Sequence, residues 1–205
     1  MRNSGRVVLF LTRDQSEGLT LANTTSFDLK PGQSASYTFS GTAGDRLGLA
    51  VMNVVRADPS LPILVTIYQG ATYVAGLNST ADDTRNLPPL PVTGSYRLEV
   101  DGAQANGMRG SLILSKNVGG TLQPGLNAFM TTLPGQNASF SFPNPVSTSS
   151  YNLVVTGLQS SRGTQTIGVE LINTTTGTTT ASFSAPTGSS VCAGYSVECA
   201  PRCLG

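Results

Sequence analysis

Pro31-Gly32-Gln33-Ser34-Ala35-Ser36-Tyr37-Thr38-Phe39 returns, from position 31 to position 134, as Pro134-Gly135-Gln136-Asn137-Ala138-Ser139-Phe140-Ser141-Phe142, a displacement of 103 residues. Seven of the nine positions are identical or exchange Tyr for Phe. Within each copy Ala, Tyr and Phe alternate with Ser, Thr and Asn, the period of a strand with one buried and one wet face. The Pro-Gly pair ahead of it supplies a turn, because Pro presets its own φ and Gly takes the positive φ that other residues resist. The match continues in the same order. Leu47 to Val51 answers to Leu153 to Val155, and Val65-Thr66-Ile67-Tyr68 answers to Val169-Glu170-Leu171-Ile172. Three segments in order indicate an internal repeat of module length. The spacing predicts a first module over 15–117 and a second over 118–205.

Working outward, period two recurs and the helical period does not. Leu47, Leu49 and Val51 alternate with Gly48 and Ala50, and Tyr96, Leu98 and Val100 with Ser95, Arg97 and Glu99. Ile63 to Tyr68 and Gly110 to Leu114 are more continuously apolar, as deeper strands are. Turn signals stand between them: Thr42-Ala43-Gly44-Asp45, Gln69-Gly70, Val92-Thr93-Gly94 and Asp101-Gly102. Tyr37, Phe39, Phe140 and Phe142 fall on inward positions and are expected in the cores. The pattern therefore predicts an all-β chain of two tandem jelly-roll-like or Greek-key β-sandwich modules. The second is expected to be incomplete at its C-terminal end, since nothing in it answers to Thr93 to Val100 or to Gly110 to Leu114. Gly5 to Leu11 resembles Gly110 to Leu114, so residues 1–14 read as the last strand of a preceding repeat. Open sheet edges are expected in the second module, and Val7 to Leu11 is a candidate to fill them by strand exchange, within the chain or in self-association.

Charged residues make up 11% of the chain and its net charge is +1. No run of Lys or Arg follows a phosphate backbone, so nucleic acid is not an expected partner. No apolar stretch reaches the roughly 18 residues of a membrane-spanning helix. Val7 to Leu11 is too short for a signal-peptide core, so a secretion signal, if one exists, lies outside these residues. The chain has no histidine, which removes Ser-His-Asp and Cys-His arrangements. A Ser-Lys pair would have only Lys30 or Lys116, neither in a motif, and Asp82 and Asp83 are too close in sequence to flank one reacting bond. The expectation is that the chain is not an enzyme.

The Pro-Gly-Gln strand, Gly41-Thr42-Ala43-Gly44-Asp45-Arg46-Leu47, Val65 to Tyr68, and Pro91-Val92-Thr93-Gly94-Ser95-Tyr96-Arg97-Leu98-Glu99-Val100 together resemble the bacterial pre-peptidase C-terminal domain. The Leu87-Pro88-Pro89-Leu90-Pro91 segment is similar to that of modules found in tandem in secreted bacterial proteins of the YD-repeat type. The resemblance covers nearly all of the first module and the front half of the second. It implies a β-sandwich appended to secreted proteases and large surface proteins, and hence a secreted or cell-surface bacterial setting. The expected function is a non-catalytic extracellular binding or spacer module, touching polysaccharide or surface protein. Alternatives are an accessory folding, processing or targeting domain of a secreted peptidase, and a purely structural stalk.

Calcium is the only cofactor the resemblance implies. Asp58, Asp82 and Asp83 are its candidate ligands, although a hard cation wants about six to eight oxygens and loop Asp residues also serve turns. Tyr68 and Tyr73 are candidates for an exposed stacking platform; Trp is absent. Tyr96, entering a late strand, is placed to hydrogen-bond back and pin a corner. Cys192, Cys199 and Cys203 lack the close spacing of a zinc knuckle and are either disulfide candidates or part of an irregular tail. Asn23, Asn78, Asn137 and Asn173 each open an Asn-x-Ser/Thr triplet, which a chain rich in these residues also produces by chance.

Overall fold

The structure is a computed structural model that describes residues 11–125, 132–142, 150–157, 159–160, 164–173, 176–188 and 191–196. Val7 to Phe10, Cys199 and Cys203 lie outside the described residues. The chain divides into two compact units. One holds residues 11–121 and 132–141, the other 122–125 and the described residues from 142 onward.

Nine strands build most of the first unit: β1 (Gln15–Gly18), β2 (Thr24–Leu29), β3 (Ala35–Gly41), β4 (Leu47–Arg56), β5 (Ile63–Gln69), β6 (Thr72–Ser79), β7 (Asp83–Asn86), β8 (Gly94–Gly102) and β9 (Met108–Lys116). They form a five-stranded sheet in the order β1-β3-β8-β5-β6 and a four-stranded sheet in the order β2-β9-β4-β7. Most successive strands alternate between the sheets, the crossing pattern of a jelly-roll-like sandwich. The alternation seen in the sequence becomes a shared core. Tyr37, Phe39, Ile63, Val65, Ile67, Tyr96, Leu98 and Val100 from one sheet meet Phe27, Leu29, Leu47, Leu49, Val51, Leu112 and Leu114 from the other. Each such side chain fully withdrawn from water contributes roughly 1.5–3 kcal/mol.

The turn before β3 takes the shape its residues dictate. Gly32 has φ +77°, and the Gln33 amide closes the turn on the Lys30 carbonyl at 2.9 Å. β4 carries a bulge between Met52 and Val55, where Asn53 adopts φ +55° and the freed Val54 amide donates to Asp82 Oδ1 at 3.0 Å.

Six further strands follow: β10 (Val118–Thr121), β11 (Ala138–Ser141), β12 (Ser150–Val155), β13 (Thr166–Ile172), β14 (Thr179–Pro186) and β15 (Val191–Ser196). They form three two-stranded sheets, β10-β11, β12-β15 and β13-β14. β10 pairs with β11 in parallel, Val118 opposite Ala138, just as β1 pairs with β3 in parallel, Gln15 opposite Ala35, 103 residues earlier. Ile167, Val169 and Leu171 are the half-buried residues of β13, the phase that the match of Val65 and Ile67 with Val169 and Leu171 requires.

Three pairs are what the first module's order leaves when its two middle strands are withdrawn. β8 separates β3 from β5, and β9 separates β2 from β4. Without them β1-β3, β5-β6 and β4-β7 remain, the counterparts of β10-β11, β13-β14 and β12-β15. Phe140 and Phe142 are accordingly half-buried, whereas Tyr37 and Phe39 are 1% and 4% exposed. β3 is covered on its second edge by β8, and among the described residues β11 pairs with β10 alone.

Candidate functional site

The outward face of the five-stranded sheet carries an aromatic and charged row. β8 lies against β5, with Arg97 opposite Tyr68, and β5 lies against β6, with Tyr68 opposite Tyr73. A register shift between Ile67 and Tyr68 brings Tyr73 beside Tyr68, and the contacts of Tyr68 with both partners place the three side chains on the same side of the sheet. Arg97 Cζ stands 5.2 Å from the centroid of the Tyr68 ring, a cation–π contact worth about 0.5–1 kcal/mol at an exposed site. Arg97 Nε also meets Glu99 Oε1 at 3.0 Å. The Tyr68 and Tyr73 rings meet edge to face, centroids 6.4 Å apart at 80°.

Tyr73 is 62% exposed, yet it is backed by the sheet. A Cβ on Gly76 would lie 3.3 Å from the Tyr73 hydroxyl and 3.5 Å from Cε2, so the ring folds closely over the Gly76 position. One edge of the ring is thus supported and the rest faces water. Such a row can stack on the C–H face of a sugar or on an apolar side chain, while Arg97 and Glu99 offer fixed donors and acceptors alongside. It holds no nucleophile next to a base. Arg97, Glu99 and Gly76 were not candidates on sequence grounds. Arg97 and Glu99 stood in the wet phase of a recognised strand, but only the pairing of β8 with β5 brings them to Tyr68.

Each of the three candidate calcium ligands accepts a hydrogen bond from a backbone amide. Asp58 Oδ1 accepts from the Ser60 hydroxyl at 2.7 Å and its amide at 2.9 Å, and these bonds hold the carboxyl below its usual value. Asp82 takes the bulged Val54 amide, and Asp83 Oδ1 accepts from the Thr84 amide at 2.7 Å. Among the described residues no three Asp, Glu, Cys or His side chains gather as a metal site. Asn106 ties the Asp58 loop down, its amide group bonded to the Asp58 backbone at 2.9 and 3.0 Å.

Tyr96 is 1% exposed, stacks on Phe39 with centroids 5.4 Å apart and donates its hydroxyl hydrogen to the Val92 carbonyl at 2.5 Å. At the same end of the sandwich an open depression of about 450 Å³ runs between Ser40, Thr42, Thr93 and Ser95, with Asp45 beneath. Asp45 accepts from the Thr42 amide at 3.1 Å and meets Lys116 Nζ at 2.5 Å. The Lys116 bond, then the Thr42 amide, hold its carboxyl below the ordinary range. Cys192 lies in β15, its backbone opposite Val154. No helix among the described residues is long and apolar enough to cross a membrane.

No known family profile matches the chain, and no curated protein does. Among solved structures it is similar to the periplasmic inhibitor of g-type lysozyme, PliG, of Aeromonas hydrophila, at 11% identity and a TM-score of 0.39, over 51% of this chain and 98% of that one. The Salmonella Typhimurium PliG gives 11% identity and a TM-score of 0.35, over 50% of this chain and 99% of that one. The pre-peptidase C-terminal domain of a Bacillus anthracis collagenase is also a structural neighbour, at 18% identity and a TM-score of 0.36, over 51% of this chain and 99% of that domain.

Proposed function

We infer that the protein is a non-catalytic extracellular module of a secreted or surface bacterial protein, and that it binds polysaccharide on the outward face of its five-stranded sheet. The observation that carries this reading is the Tyr73 ring, 62% exposed, propped over Gly76 and continued by Tyr68 and Arg97. A large apolar ring held in water costs free energy unless a partner covers it, and its rigidity lowers the entropy lost on binding. The surroundings favour a neutral, hydroxyl-rich ligand, because Arg97 and Glu99 already neutralise one another. The absence of histidine and, in this row, of a nucleophile beside a base supports a role without chemistry.

The test is a glycan array followed by calorimetry on the best ligand, with Tyr73→Ala and Tyr68→Ala beside the parent protein. Binding is expected to weaken about tenfold or more in Tyr73→Ala, with an unchanged melting temperature. Saccharide binding that ignores both tyrosines removes the reading, and no saccharide binding at all leaves the spacer role. That second role is favoured by the hydrogen-bond pattern repeated 103 residues apart. Calcium belongs in the same titration, run with and without chelator, since Asp58 and Asp82 lie on loops and Asp83 opens β7.

A further inference from the structure

The four-stranded sheet is buried on both faces where β4 meets β9. Leu49, Val51, Leu112 and Leu114 point into the sandwich. The alternate residues point the other way, and Ala50 is 0%, Ile113 5% and Ser115 0% exposed. The outer face of an antiparallel sandwich sheet ordinarily meets water. Here the Leu133-Pro134-Gly135-Gln136 turn lies on it. Leu133 packs against Ala50, Met52 and Ile113. Gly135, at φ +76°, lies so close that a Cβ on it would stand 2.7 Å from the Leu49 carbonyl oxygen, and a Cβ on Gly48 would fall onto the Gly135 carbonyl.

Hydrogen bonds hold the turn to the end of β9. Gln136 Nε2 donates to the Lys116 carbonyl at 2.6 Å, its Oε1 accepts from the Leu133 amide at 2.9 Å, and the Asn137 amide donates to Asn117 Oδ1 at 3.3 Å. Each bond has a counterpart 103 residues earlier. Gln33 Nε2 donates to the Arg13 carbonyl at 2.5 Å, its Oε1 accepts from the Lys30 amide at 3.1 Å, and the Ser34 amide donates to Asp14 Oδ1 at 2.9 Å. The difference is apolar: an exposed Lys30 stands where Leu133 packs.

We propose that the Leu133–Gln136 turn is a plug, that the outer face of β4 and β9 is its docking surface, and that the first module is therefore completed by the front of the second. Sequence periodicity assigns 118–121 and 132–141 to the later repeat, while their packing belongs to the earlier one. Stability then includes a nearest-neighbour term, as in stacked repeat proteins, and the two repeats are not independent beads. Gly48 and Ala50 are small because the turn must approach the backbone, and the Ser115 hydroxyl, opposite Gly48, is buried without a hydrogen-bond partner among the described residues.

The test uses the full chain and reads amide exchange over 132–141 together with the melting of the first module. Gly48→Val is expected to speed exchange there about tenfold or more and to lower the melting temperature. Gln136→Ala shifts both in the same direction by less, and Gln33→Ala leaves exchange over 132–141 unchanged. Ser115→Ala, by removing a buried orphan hydroxyl, raises melting by about 2–4 °C; on a solvated face it would be neutral. Exchange over 132–141 at the free-peptide rate in the parent protein overturns the proposal, as does a folded Gly48→Val with unaltered exchange. Should Gly48→Val not fold, Leu133→Asp decides, because it changes only the plug: faster exchange supports docking and unaltered exchange rejects it.

Discussion

Asp45 and Lys116 sit at 2.5 Å across the end of the first module, and the consequence is a defined pH dependence. Lys116, first by hydrogen bonding and then by its charge, together with the Thr42 amide, lowers the Asp45 carboxyl pKa. A carboxyl whose pKa is lower folded than unfolded stabilises the fold above its unfolded value, about 3.9, and loses that contribution as pH falls through the folded value. Lys116 is 58% exposed, so salt screens part of the effect. Urea midpoints taken from pH 6 downward are expected to fall less steeply below about pH 4 in Asp45→Asn than in the parent, with the gap narrowing in high salt; equal slopes would remove Asp45 from the acid response. The partnership with Lys116 was not legible in the sequence, since 71 positions separate residues 45 and 116 and nothing in the pattern joins them. Tyr96 was more open to reading. A tyrosine entering a late strand four residues after Val92 can reach back to that carbonyl by local geometry alone, and its hydroxyl does so.

Strands were legible where one face is dry and the other wet, because alternation records burial directly. β3 and β8 declare themselves this way, as does the turn that needs Gly32 at positive φ, whereas the front of β4, which alternates in sequence, is buried on both faces. Pairing is a different matter. Which strand neighbours which depends on loop closure and on packing between sheets, neither of which leaves a local mark. For this reason Tyr68 and Tyr73 could be singled out as aromatic residues near a hairpin, while Arg97 and Glu99 could not be added to them. The same topology makes β8 the element on which the five-stranded sheet turns, bonded to β3 on one edge and β5 on the other. Leu98, at its centre, is 0% exposed. Leu98→Ala is expected to cost about 2–5 kcal/mol by urea unfolding, and Arg97→Ala, one residue away on the wet face, about 0.5–1 kcal/mol. Equal costs would mean that β8 is not held between two strands as described.

At the scale of the whole molecule the apolar burial is unevenly shared. The main core draws on residues from Leu19 to Leu114, whereas between 153 and 188 Ala185 is the buried apolar residue among those described. Two-stranded sheets gain little on their own, since each strand leaves one edge unpaired and one pair cannot enclose a core. The fold therefore sets the two units at different stabilities rather than making one cooperative body. Calorimetry is expected to show two transitions, with the cooler one assigned to the unit that contains β12 to β15. Leu98→Ala should move only the warmer transition, and Phe183→Ala, on the half-buried side of β14, only the cooler. The docked turn sharpens the assignment, because amides over 132–141 must then lose protection with the warmer transition although their sequence belongs to the later repeat. One transition, shifted alike by both substitutions, would mean that the two repeats share a core, and the division of the chain into units would fail with it.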